Sequence, residues 1–152
     1  MVDPQESSPG GAICALEVQV VVFSLRDQRL QVLLESAGPD SGDGWTLPVS
    51  PVTASRSLEE SANACLARFI CRHRTYLEQL YTYGDPSRHP TRRVISVVYF
   101  ALIPSDAFCA PAEPVQWSPV DALPSLALDS ADILAYAVRR LRYKLEYSAA
   151  GF

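Results

Sequence analysis

Residues 94–103 (VISVVYFALI) form a nearly continuous apolar run of strand length, set in a chain whose other signals alternate between strand and helix. Residues 12–23 are β-branched and apolar. After the polar turn Arg26-Asp27-Gln28 a second run, Leu30-Gln31-Val32-Leu33-Leu34, completes a β-hairpin. The Gly- and Asp-rich stretch 37–44 is a loop leading into Trp45-Thr46-Leu47-Pro48, with further loop to Arg56. Ser57-Leu58-Glu59-Glu60 has capping-box spacing and opens a helix to about residue 72, with Leu58, Ala62, Cys65, Leu66 and Phe69 on one stripe and His73 near its end. Strands follow at 77–83, at 94–103 and, briefly, at 115–117. A final amphipathic helix over 130–147 carries Leu134, Val138, Leu141 and Leu145 at i, i+4 spacing. This order implies a mixed sheet with helices packed against it.

The chain has 152 residues, enough for one domain with its own core, and its 48% apolar and 20% charged residues are ordinary for a folded protein. Residues 1–11 combine Pro, Gly, Ser and charge without apolar periodicity and read as a flexible arm, leaving 12–152 as the domain. A net charge of −4 and a pI of about 5.1 do not attract a phosphate backbone, so direct nucleic-acid binding is not expected. The apolar runs are too short to span a bilayer and the N-terminus has no signal-peptide pattern, which predicts a cytoplasmic protein. Cys14, Cys65, Cys71 and Cys109 include no CxxC pair and read as buried free thiols.

Few side chains suggest chemistry. His73 and His89 stand near no nucleophile motif and are assigned surface or packing roles. Cys65 and Cys71 point to different helix faces and do not make a zinc site with His73. Glu59 and Glu60 belong to the first helical turn, where the macrodipole favours them. The segment from Arg88 to Arg93 supplies Arg88, Arg92 and Arg93 together with His89, a set that could cradle a diphosphate, although on the residues alone a solvated turn paired to surface acids is the favoured reading.

Thr46-Leu47-Pro48, a loop and SLEESA opening a helix resemble the loop-helix segment of the Nudix fold. LEQLYTYGDPSRHPTRRVISVVYFALIP, WSPVDALPSLALD and ILAYAVRRLRYKLEYS resemble the Nudix-like domain of NrtR-type transcriptional regulators of NAD metabolism, so that the likeness runs from Leu16 to Phe152. It implies a Nudix α/β/α sandwich and a small nucleotide such as ADP-ribose as ligand. In that family a winged-helix DNA-binding domain follows, which these 152 residues do not include.

Registered on Leu47-Pro48 and SLEESA, the Nudix hydrolase signature finds none of its carboxylates here. Its first glycine falls on Ser50, its first glutamate on Arg56, its Arg-Glu pair on Ala64-Cys65, its Glu-Glu pair on Arg68-Phe69 and its last glycine on Cys71. Without oxygen ligands Mg²⁺ is not expected to bind there. Either Arg56 and Arg68 contact a diphosphate in place of the metal, or Phe69 and Cys65 extend the core and the old site is filled.

The expectation is therefore a catalytically inactive Nudix-like module that binds ADP-ribose or a related nucleotide in a regulatory role, with Arg56, Arg68, Arg88, Arg92 and Arg93 as ligand-binding residues and with no catalytic residue, metal or cofactor. The alternative is a diverged hydrolase of nucleoside diphosphates, dependent on Mg²⁺ and recruiting carboxylates such as Glu59, Glu60 or Glu113. A structural or homodimerising role without ligand is the third reading.

Overall fold

The computed structural model describes residues 13–71 and 75–150. The expected arm at 1–11, Arg72 and His73 lie outside them. Seven strands form one sheet: β1 (Ala15–Arg26), β2 (Arg29–Ser36), β3 (Trp45–Thr46), β4 (Val49–Pro51), β5 (Glu78–Tyr83), β6 (Val94–Ile103) and β7 (Val115–Pro119). The main order is β3-β2-β1-β6-β5, with β4 pairing β1 and β7 pairing β2. β1 runs parallel to β6, with Glu17 opposite Ser96 and Gln19 opposite Val98, and antiparallel to β2. The sheet is therefore mixed, as the alternation of signals implied.

Asp27 and Gln28 close the β1–β2 hairpin at φ 52° and 62°, the left-handed pair that a two-residue hairpin turn requires. The middle of β1, residues 20–23, is continuously apolar because both of its faces are covered there. Val18, Val20 and Val22 pack with α1 (Leu58–Ala67), whereas Val21 and Phe23 pack with α2 (Ser130–Ala150). The structure is the expected sandwich, a mixed sheet between helices.

Several boundaries differ from expectation. The capping box is present, since the Glu60 amide donates to Ser57 Oγ at 3.1 Å, but α1 ends at Ala67 rather than near residue 72. The Arg68 amide donates back into the last turn, and the chain then leaves the helix to form an antiparallel bridge between Ile70 and Phe108. Phe69 is nonetheless core, 1% exposed beside Leu66 and Cys65, while Leu58 lies near the surface. The segment 45–51, read mostly as loop, supplies the short strands β3 and β4 on either side of Leu47-Pro48. On α2 the buried stripe is Ile133, Leu134, Ala137 and Leu141, and Leu145 is exposed.

The cysteines also differ from the expected buried thiols. The Cys71 amide donates to the Ala107 carbonyl and the Cys109 amide to the Phe69 carbonyl, which brings Cys71 and Cys109 to a Cα separation of 5.7 Å as a disulfide. Both are exposed, as is Cys14, whereas Cys65 alone matches the buried thiol expected.

Candidate functional site

The valine pattern of β1 is broken by Glu17 and Gln19, two residues apart and so on one face. They lie where β1 and β6 begin and β2 finishes, and there a cleft of 220 Å³ opens. Glu35 from the end of β2, Thr46 of β3 and Val49 of β4 join them. Arg88, His89 and Arg92 come from the β5–β6 connection, and Leu128, Asp129 and Ser130 from the entry to α2. Leu128 holds φ 54°, a left-handed conformation that costs a leucine about 1–2 kcal/mol and that the surrounding packing must sustain.

Arg88 organises the cleft. Its side chain is 7% exposed; Nε and Nη2 donate to the two carboxylate oxygens of Asp129 at 2.9 and 3.1 Å. Nη1 donates to Ser96 Oγ at 2.7 Å and to the Val94 carbonyl at 3.4 Å, and Ser96 Oγ in turn donates to Glu17 at 2.7 Å. Four of the five N–H donors of the guanidinium are thereby committed inside the protein, so Arg88 does not offer the open fork expected of a phosphate ligand.

The other four arginines separate. Arg92 is exposed and lines the cleft. Arg68 sits at its margin, where Nη2 donates to Glu35 at 2.9 Å and reaches the Val49 carbonyl at 3.4 Å, with the guanidinium 4.7 Å from the Phe69 ring centroid. Arg56 is exposed and lies away from the cleft lining. Arg93 also lies outside that lining and is half-buried, with Nη1 buried and without a hydrogen-bond partner among the described residues. The five do not converge on one diphosphate cradle.

At the degenerate signature, Arg68 and Glu35 form an ion pair beside Cys65 and Phe69. Burial opposes the charge on Arg68, but the neighbouring Glu35 and Cys65 outweigh it and hold its pKa above the ordinary value. Burial pushes the Cys65 thiol up despite a hydrogen bond with Ser50 and the charge of Arg68. Cys65 therefore stays a protonated core thiol. Because its folded pKa is raised, its stabilising effect is complete below the ordinary thiol value of about 8.5 and is lost as pH rises from there through the folded value. The denaturation midpoint should fall more steeply above about pH 8.5 in the native sequence than in Cys65→Ala.

Sequence reasoning missed Glu17, Gln19, Glu35 and Asp129, and it placed His89 in a surface or packing role. His89 is 6% exposed and lines the cleft. A buried polar residue inside an apolar strand, as at Gln19, was the one available signal. Glu59, Glu60 and Glu113, the carboxylates named for a diverged hydrolase, are exposed and outside the cleft lining. Among the described residues no three His, Cys, Asp or Glu side chains come together as a metal site, and no helix is long and apolar enough to cross a membrane.

No family model matches the chain. It is 31% identical over 150 residues to the ADPR responsive transcriptional repressor NtrR of Acinetobacter baylyi, covering 88% of this chain and 57% of that protein. The chain thus spans little more than half the length of this curated relative. Its fold superposes on the NUDIX domain of Shewanella oneidensis NrtR, in a structure complexed with ADP ribose, with a TM-score of 0.69 and 29% identity over 92% of this chain and 94% of that one. The chain is a Nudix domain resembling that of NrtR. Against the longer Shewanella oneidensis NrtR chain the TM-score is 0.74 and the identity 30%, over 86% of this Nudix domain and 64% of that chain.

Proposed function

We propose that this Nudix domain is a regulatory module that binds ADP-ribose or a closely related nucleotide and does not hydrolyse it. The observation that carries the reading is the Arg68–Glu35 ion pair beside core Phe69, which occupies the ground where a Nudix hydrolase would present metal-binding carboxylates. The relative complexed with ADP ribose supports the ligand class. In this reading Arg92 contacts the diphosphate and the carboxylates of the cleft accept from ribose hydroxyls. Arg68 and Arg88 hold the walls, Arg56 and Arg93 lie outside the contact, and no metal or cofactor is needed. We place the chain in the cytoplasm, where the Cys71–Cys109 pair is open to reduction.

A hydrolase is the second reading, favoured by the acids that line the cleft itself, Glu17, Glu35, Asp40 and Asp129. To hold Mg²⁺ it would have to free Glu35 from Arg68 and Asp129 from Arg88. The test incubates purified protein with ADP-ribose and Mg²⁺ or Mn²⁺ and measures AMP and ribose 5-phosphate. No product above the buffer control is expected. Metal-dependent turnover that survives further purification favours the hydrolase, and a protein that neither turns over nor binds the nucleotide favours a structural or homodimerising role.

A further inference from the structure

Two buried polar groups in the cleft wall have unused hydrogen-bonding capacity. His89 Nδ1 accepts from the backbone amides of Thr91 at 3.2 Å and Arg92 at 3.1 Å. A ring nitrogen that accepts cannot carry the proton of a neutral imidazole, so the proton lies on Nε2. That Nε2 is buried and has no partner among the described residues. Gln19, also 6% exposed, presents a buried carboxamide oxygen that is likewise unpaired. A buried donor or acceptor left without a partner is destabilising, and both line the same cleft.

We infer that His89 and Gln19 are the specificity-determining pair of this site: His89 Nε2–H donates to an uncharged acceptor on the sugar or base of the nucleotide, and Gln19 accepts from a hydroxyl or amino group. The inference rests on the nucleotide-binding reading above and adds which part of the ligand faces the buried wall. Electrostatics select that part. Glu17, Glu35 and Asp129 line the same cleft, and the cations nearest them, Arg68 and Arg88, are already paired, so a phosphate beside His89 would meet net negative surroundings. The exposed Arg92 suits the phosphates at the mouth instead.

The imidazole also staples the 89–92 turn, so the variants must separate the two roles. His89→Asn keeps an acceptor near the Nδ1 position and removes the Nε2 donor, and Gln19→Met removes the acceptor at nearly equal length. Each should weaken ADP-ribose binding by about tenfold in calorimetric titration, with the melting temperature of the free protein within about 2 °C of the native sequence. Competition by inorganic pyrophosphate should be unchanged by His89→Asn, or absent in both proteins. Native binding that both variants retain overturns the inference alone, as does a parallel loss of pyrophosphate competition, which would put His89 against the phosphates. Failure of the native protein to bind ADP-ribose overturns the proposed function and this inference together.

Discussion

Phe69→Ala should destabilise the protein by about 3–5 kcal/mol, seen as a lower denaturation midpoint and a melting temperature reduced by roughly 10 °C. Phe69 is 1% exposed and packs with Cys65 and Leu66 of α1 against the valines of β1. Truncation would leave a cavity in a part of the core that the disulfide and the bridge to Phe108 hold in place, so that the walls collapse poorly. Phe69→Leu should retain most of the stability. A loss below about 1 kcal/mol for Phe69→Ala would mean that the ring lines an open pocket and that the former metal ground is not filled.

Arg88→Ala should be comparably severe, about 3 kcal/mol, the lower end of the range for breaking a buried ion pair because the Asp129 side chain is 21% exposed and can recruit water. The loss strands the Asp129 carboxylate and removes the donors to Ser96 and Val94. Adding Asp129→Asn to Arg88→Met should therefore recover part of the loss, and the size of that recovery in a double-mutant cycle measures the coupling. If Arg88→Ala left stability unchanged and lowered only ligand affinity, Arg88 would be a free phosphate ligand rather than the organiser of the cleft.

The contrast between Phe69 and Arg88 shows where the sequence is informative. Periodicity reports which face a residue presents, so the stripe through Leu66 and Phe69 marked the core even though α1 ends two residues before Phe69. The run 94–103 became β6 residue for residue because a strand covered on both faces has no polar punctuation except at its ends. The early end of α1 depends on the bridge from Ile70 to Phe108, a distant partner with no local signal. β3 and β4 are too short to show alternation.

The cleft was less legible. Arginine composition drew attention to the segment 88–93, but the partners that decide each guanidinium's role come from other elements: Asp129 from the entry to α2, and Glu35, which holds Arg68, from the end of β2. His89 was assigned to the surface or to packing because it stands near no nucleophile motif. It is buried in a cleft shared with Glu17 and Gln19 of β1 and Asp129 at the entry to α2, distant partners that local composition does not encode. The Nudix resemblance set the signature register on Cys65, Arg68 and Phe69, yet it did not reveal that Glu35 and Arg68 neutralise one another beside that register.

The site is expected to bind its nucleotide without metal. Titration of ADP-ribose into the native protein, by calorimetry in excess EDTA and again in millimolar Mg²⁺, tests it most directly. Saturable one-site binding of the same affinity in both buffers is expected. Binding that requires Mg²⁺, or that is absent in both buffers, would contradict it.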